Sequence, residues 1–413
     1  MEFFQYIPLT EAKELIDSKL DGVYAAPETV PLLDSLGRIT AEDIAALTDM
    51  PPFDRSTVDG YAVRSDDTYG ASEASPALFA LAGEVAMGQP ATAEIVSGQA
   101  MGITTGGMLP PGADAVVMFE HTEMLDANNL LVKDRIAPGE NVVAQGEDLQ
   151  ADCAILAMGQ KISPQDIGVL AACGCTHITV RKRLEVGIIS TGDELVEVGQ
   201  PVALGQIRDV NSFVLSAMLT ELGCSVKRLG IVEDSYDRFY TTLREAVDTC
   251  QLVIISGGSS VGARDYTVKA IGALGQPGVL IHGVAVKPGR PTIFGMVDTT
   301  PVFGLPGHPM AAMTICEQLV KPAARKMMGQ TPPDIISVPA ILTRNVASSP
   351  GRDDFVNVRL SRQDGRYAAT PILGKSGLIR VAAQADGMIH ILTNQSGLYE
   401  GDPVDVLFIK NPR

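Results

Sequence analysis

The sequence predicts a multidomain α/β plus β protein built around a doubly wound, mainly parallel α/β domain, and three observations carry that expectation. Between Leu184 and Gly329, apolar runs of strand length alternate with amphipathic segments of helix length, the pattern of a parallel sheet covered by helices on both faces. Residues 47–144 and 334–413 break instead into short β-type runs separated by turns, so each reads as a small β unit. The 413 residues exceed the usual size of one domain, and an apolar content of 46% can fill several cores, so roughly two to four compact units are expected.

Residues 9–45 carry helical apolar spacing in EAKELIDSKL and in PLLDSLGRITAEDIAAL, with Pro and Gly marking breaks. Near Met50 the texture changes to the β-type runs YAVRS, ALFALAGEV, AEIVSG, DAVVMFEHTEM and NLLVKDRIA. After Val142 a mixed segment returns, in which SPQDIGVLAACG predicts a short helix with Ser163 as N-cap. This segment is expected to rejoin the first helical unit, giving a discontinuous helical or mixed domain (1–46 and 145–180) with an inserted β domain (47–144).

The α/β domain (181–329) follows as LEVGIIST, NSFVLSAMLTELG, SVKRLGIV, DSYDRFYTTLREAVDTC, LVIISGG, DYTVKAIGALG, VLIHGVAV and a last helix beyond Pro309. Pro332-Pro333 marks a linker, and IISVPAILT, DDFVNVRLS, MIHILTN and DPVDVLFIK predict a C-terminal β barrel or sandwich over 334–413.

With 32 basic against 49 acidic side chains the formal charge is -17, which opposes binding to nucleic acid or an anionic membrane surface. An anionic small ligand then needs local cations and backbone N–H groups. The six cysteines form no CxxC pair and sit in apolar stretches, so they read as buried thiols of a reducing compartment. Cys173-Gly-Cys175 has only His177 nearby and lacks the further ligands of a zinc site. The N-terminus has no apolar core of signal-peptide length, and the longest uncharged runs are broken by Gly and Pro. A cytoplasmic location is expected.

In a doubly wound sheet, ligands sit beyond the carboxyl ends of the strands, and four polar loops fall there. Ser190-Thr191-Gly192-Asp193-Glu194 places adjacent carboxylates at a strand end; they could hold Mg²⁺ or act as acid and base, and capping of the next helix explains them more simply. The loop from Ser256 through Gly257, Gly258, Ser259 and Ser260 to Thr267 offers N–H and hydroxyl donors at a helix start, an anion cradle. Asp265 within it would repel phosphate unless a metal intervenes, and its alternative is an N-cap.

Lys287-Pro288-Gly289-Arg290-Pro291 places two cations on a stiff turn suited to an oxyanion, with a solvated turn as the alternative. Gly304-Leu305-Pro306-Gly307-His308-Pro309 opens a helix whose N–H groups could receive phosphate, although a lone histidine is more often structural. One function explains all four loops: a phosphate-bearing ligand lying across the sheet edge. The turns around Asp59, Thr105 and Asp148 read singly as ordinary loop chemistry.

Taken in order, VDGYA, TTGG, DAVVM, GED, STGDEL, DVN, SGGSSVGARDYT, KPGRP, GLPGHP and PGRDDF span residues 58 to 355. This order resembles the molybdopterin molybdotransferases of the MoeA family, related to the gephyrin E domain. The resemblance implies an elongated homodimer in which the α/β domain of one subunit faces the inserted β domain of the other. It implies adenylylated molybdopterin and molybdate as substrates, AMP and molybdenum cofactor as products, and Mg²⁺ as cofactor. Transient contact with the adenylyltransferase and with molybdoenzymes belongs to the same expectation.

Matched by position, Asp59, Asp148, Glu194, Asp234 and Asp265 are the functional acids, with Glu194, Asp234 and Asp265 on Mg²⁺ and water. Lys287, Arg290, Arg352 and Ser376 match the molybdate pocket, while Thr105, Ser256, Gly257, Gly258, Ser259, Ser260, Pro306, Gly307 and His308 match the remaining substrate contacts. The chain departs from the family in three places: KPGRP replaces KPGKP, GLPGHP replaces GLPGNP, and Val143, Ala144 and Gln145 stand where basic residues often precede GED. An adenylyltransferase-like enzyme and an inactive pterin-binding scaffold are the alternatives, and tungstate is an alternative oxyanion.

Overall fold

Leu9, Ala12 and Ile16 line one face of α1 (Leu9–Lys19) and are buried together with the following Leu20, the spacing of a half-buried helix. This computed structural model describes residues 6–91, 93–257, 261–332, 336–363, 365–374 and 376–408, and not the side chains of 261–265. The apolar face of α1 packs with Leu184, Val186, Ile315 and Ala324 in the core of the α/β domain. Residues 27–46 join the 145–180 segment instead. The expectation of helix through residue 45 is corrected here: the chain is extended in β1 (Pro27–Pro31), makes one 3₁₀ turn at Leu32–Ser35 and is extended again at Ile44–Ala45. Pro27 and Pro31 cannot donate the N–H groups that a continuing helix needs.

The inserted unit is a six-stranded sheet of β2 (Gly60–Val63), β3 (Ala77–Glu84), β4 (Gln99–Ile103), β5 (Ala115–Met118), β6 (Thr122–Met124) and β7 (Asn129–Val132), in the order β5-β2-β4-β3-β7-β6. Its two faces carry separate cores. Ala62, Met101 and Val116 belong to one, and their neighbours Val63, Ala100, Ala115 and Val117 to the other. Burial on both sides makes the central strands continuously apolar rather than alternating. AEIVSG is not a strand: Ile95 is buried from a loop, its N–H donating to the Pro111 carbonyl, and β4 begins only at Gln99.

The chain then returns to the first unit through α2 (Pro164–Ala172) and β8 (His177–Arg181), which pairs antiparallel with β1. Leu156, Ile162, Leu170, Ile178 and Val180 pack with Val30, Leu32 and Ile44, so segments on either side of the insertion share one core, mostly of extended chain. Ser163 caps α2 as expected, in a reciprocal capping box: its hydroxyl accepts from the Asp166 N–H, and the Asp166 carboxylate accepts from the Ser163 N–H at 2.7 Å.

Six strands form the α/β sheet: β9 (Glu185–Thr191), β10 (Ser225–Val232), β11 (Leu252–Gly257), β12 (Pro277–His282), β14 (Ile293–Val297) and β15 (Thr300–Leu305). A two-residue strand, β13 (Val286–Lys287), lies outside it. The order is β10-β9-β11-β15-β14-β12, with only β14 running against the rest. Chain order reverses between β9 and β11, the switch point of the fold. The helices are α3 (Asn211–Leu222), α4 (Tyr236–Thr249), α5 (Val261–Leu274), α6 (Pro309–Ile315) and α7 (Lys321–Met327). The predicted order of strands and helices holds. The added finding is β14, whose IFGMV run is buried throughout and has no alternation to announce it.

The C-terminal unit is a closed barrel: β16 (Ser337–Leu342), β17 (Asp353–Gln363), β18 (Arg366–Pro371), β19 (Gly387–Ile391) and β20 (Pro403–Phe408), in the order β17-β18-β16-β20-β19, with β19 pairing back to β17. A short helix, α8 (Ile379–Gln384), precedes β19. Strand β13 of the α/β domain adds to the barrel in parallel beside Asp353–Asp354. All six cysteines are free, but Cys153 is exposed and Cys175 only half-buried, which corrects the expectation that every thiol is buried. Among the described residues no helix is long and apolar enough to cross a membrane.

Removing the Ser163 hydroxyl by Ser163→Ala is expected to cost about 1 kcal/mol locally. The loss should appear as faster amide exchange along residues 164–172, and an unchanged exchange pattern would count against the capping assignment.

Candidate active site

At the switch point the ends of β9 and β11 nearly touch. Gly257 has φ of 108°, and a Cβ there would lie 2.1 Å from the Thr191 carbonyl oxygen, so only glycine allows the approach. Asn211, at the start of α3, is 8% exposed, and its amide donates to Ser256 Oγ and to the Gly307 carbonyl, each at 2.9 Å. It thereby ties the end of β11 to the loop after β15. The sequence reading quoted this asparagine within DVN but gave it no role; a polar residue opening an apolar helix was the available signal. Thr191 Oγ1, Asn211 Oδ1 and Ser212 Oγ are buried without partners among the described residues. Gly258, Ser259 and Ser260 lie outside the described residues, as does the Asp265 side chain.

Beyond β9 and β10 stand Asp193, Glu194 and Asp234. Asp193 does not cap a helix directly after it, because the segment that follows is the extended pair Leu195–Val196. Instead its Oδ1 accepts from the Asp234 N–H at 3.0 Å, in the turn before α4. Burial pushes the Asp234 carboxyl above its ordinary range, and the neighbouring charges of Asp193 and Glu194 push it further. Among the described residues no group of three His, Cys, Asp or Glu side chains is arranged as a ready metal cage. The donors present are carboxylate oxygens, which suit a hard divalent cation that keeps several waters.

The predicted oxyanion residues converge. Lys287, Arg290, Pro306, Gly307, His308, Arg352 and Ser376 line one cleft of about 880 Å³ between the α/β domain and the barrel. Gly289 sits at φ of 131°, where a Cβ would lie 2.5 Å from Ile315 Cδ1, so the KPGRP turn seats closely on α6. The Arg290 guanidinium lies 4.6 Å from the centre of the Tyr6 ring, a cation–π contact with the planar head of the side chain. His308 Nδ1 is 2.8 Å from Ser376 Oγ, and the Met310 N–H in the first turn of α6 donates to the Ser376 carbonyl. Asp354, a residue the sequence reading left without a role, lies against both Lys287 and Arg352.

Asp59 and Thr105 meet on the inserted unit. Asp59 Oδ1 accepts from the Thr105 N–H at 2.7 Å and from its hydroxyl at 3.0 Å, and these bonds, the backbone one foremost, hold the Asp59 carboxyl below the usual range. Asp148 is exposed on the hinge turn, where its N–H donates to the Met50 carbonyl. Neither aspartate shares a hydrogen bond with the α/β loops among the described residues. The Gly307 loop joins the strand-end residues to the cleft.

Comparison with known proteins covers nearly the whole chain. The family described as "MoeA N-terminal region (domain I and II)" matches residues 7–174, "Probable molybdopterin binding domain" matches 187–326, and "MoeA C-terminal region (domain IV)" matches 339–409. The molybdopterin molybdenumtransferase of Bacillus subtilis is 35% identical over 93% of this chain and 90% of its own. That of Haemophilus influenzae is 37% identical over 79% and 80%. A crystal structure of a molybdopterin biosynthesis MoeA protein from Pyrococcus horikoshii has a TM-score of 0.85 at 36% identity, covering 98% of this chain and all of that one (100%). With the same order of units, the same closed barrel and relatives at this identity along the chain, this protein belongs to the MoeA family.

Proposed function

We propose that this chain works in molybdenum cofactor biosynthesis as a molybdopterin molybdenumtransferase, taking adenylylated molybdopterin and molybdate and releasing AMP. One observation carries the reading. The Pro306–His308 loop is tied through Gly307 and Asn211 to Ser256 at the end of β11, while its His308 lines the cleft of Lys287, Arg290 and Arg352. A ligand whose phosphate rests at the sheet edge therefore extends toward the place where an oxyanion is held.

Molybdate enters as substrate, and Lys287, Arg290 and Arg352 offer N–H donors to its oxygens. Two Mo–S bonds form as the dithiolene thiols of the pterin replace one oxo group, which leaves as water carrying both thiol protons. Water adds to the phosphoanhydride, whose P–O bond breaks to free AMP. Glu194 and Asp234, with Asp265 by family resemblance, would hold Mg²⁺, which when bound neutralises charge on the phosphoanhydride. Desolvation raises Asp234 and the charges of Asp193 and Glu194 raise it further, which supports this, since a divalent cation relieves the like-charge part. The family resemblance supports a homodimer in which the inserted unit of one subunit, with Asp59, Thr105 and Asp148, faces the sheet edge of the other. The free thiols suit a cytoplasmic location.

Incubated with adenylylated molybdopterin, molybdate and Mg²⁺, the purified protein is expected to release AMP and yield cofactor. Absence of molybdate-dependent AMP release while the pterin still binds would sink the reading. Competition between molybdate and tungstate in that assay ranks the two oxyanions.

Asp234→Asn should separate its electrostatics from its chemistry. Because the fold raises the Asp234 pKa, its stabilising contribution is present below the unfolded value and is lost as pH rises through the folded one. At pH 7 the ionised carboxylate therefore opposes folding. The variant is therefore expected to melt slightly higher than the parent at pH 7, with the gain vanishing toward pH 3, and to lose Mg²⁺-dependent AMP release. A pH-independent melting difference would contradict the charge crowding.

A further inference from the structure

We infer that Asp354 is the positioning residue of the oxyanion cleft, aiming Lys287 and Arg352 at the anion they receive. The inference rests on the oxyanion reading of this cleft. The Asp354 side chain is 3% exposed, whereas those of Arg352 and Lys287 are 24% and 55% exposed, so a fixed carboxylate stands behind two more mobile cations. Its Oδ1 accepts from Arg352 Nε at 2.9 Å, and its Oδ2 lies 3.4 Å from Lys287 Nζ. Arg352 spends its Nε edge on this bond, which leaves the terminal guanidinium nitrogens for a ligand. Lys287 retains two of its three donors by the same count.

The backbone makes the arrangement rigid. Lys287 and Asp354 are register partners in the parallel pair of β13 with β17, so the carboxylate reaches the lysine across adjacent strands. The preceding Asp353 is fixed separately: its Oδ1 lies 2.7 Å from His390 Nε2, and the His390 ring stacks on Phe355 at 4.5 Å. The start of β17 is thus held whether or not Asp354 keeps its charge.

Charge and geometry make opposite predictions here. A buried carboxylate beside an anion site weakens anion binding by repulsion, so removing it should tighten the site if charge alone mattered. If Asp354 orders the donors, removing it should weaken the site despite the added net positive charge, because the anion must then order two long side chains itself.

Calorimetric titration of the full-length protein with sodium molybdate alone decides between them. Asp354→Ala is expected to bind molybdate roughly 10- to 100-fold more weakly than the parent, the range seen when residues that orient ligating groups are lost. Asp354→Asn, which keeps an acceptor for Arg352 Nε, should fall between the two and covers the case in which the alanine variant folds poorly. Affinity for adenylylated molybdopterin should stay unchanged. In an Arg352→Ala background, Asp354→Ala should cost much less than it does alone, a coupling that general destabilisation does not produce. Equal or tighter molybdate binding by both Asp354 variants overturns the inference while leaving the proposed function standing. Failure of the parent protein itself to bind molybdate overturns the oxyanion reading of the cleft, and the inference with it.

Discussion

The parallel pairing of Val286–Lys287 with Asp353–Asp354 is the joint on which the site depends. It extends the barrel by a strand borrowed from the α/β domain, and the Asp353 N–H donates to the Ala285 carbonyl at its edge. The barrel keeps a core of its own, while its Phe355 and Met388 pack into the core of the α/β domain, so the two units are set in fixed register by this pairing together with shared apolar packing. Backbone bonding of this kind is directional and leaves little freedom for one unit to slide on the other. The cleft between them owes its existence to that docking, as do the meetings of Lys287 with Arg352 and of His308 with Ser376.

A formal charge of -17 makes an anion site an exception that local structure has to build. At the sheet edge the groups are uncharged: the close approach at Gly257, and the Asn211 amide that joins the end of β11 to the Gly307 carbonyl. In the cleft the groups are cations, held by two neighbours. The Tyr6 ring lies against the Arg290 guanidinium, while Asp354 contacts both Lys287 and Arg352. The carboxylates beyond β9 and β10 form the opposite environment, in which desolvation raises Asp234 and the like charges of Asp193 and Glu194 raise it further. The cleft cations and these carboxylates thus lie in separate places on this protein.

Legibility in the sequence followed the range of the interaction concerned. Ser163 announced its helix because a capping box is complete within four residues, and the strands and helices of the α/β domain could be ordered because each carries its own periodicity. The stretch from Pro27 to Leu47 misled because its apolar spacing suits a helix, whereas its partners, Ile178 and Val180, lie beyond the inserted unit. AEIVSG misled in the same way: a short apolar run has no local feature that decides between a strand and a buried loop. Asp354 and Asn211 passed without roles because their importance lies in what they touch, Lys287 in one case and Gly307 in the other.

By itself, the sequence determined an α/β domain with polar loops at its strand ends, a basic turn in an acidic chain, and, through the order of its motifs, the family. Tertiary structure alone decided that α1 packs into the α/β core, that the C-terminal strands close into a barrel, and that the basic turn faces that barrel across a cleft with Asp354 behind it. The division is physical. Periodicity, caps and turns are set by residues a few positions apart, whereas the register between β13 and β17 joins residues 67 positions apart and is fixed only when both units have folded.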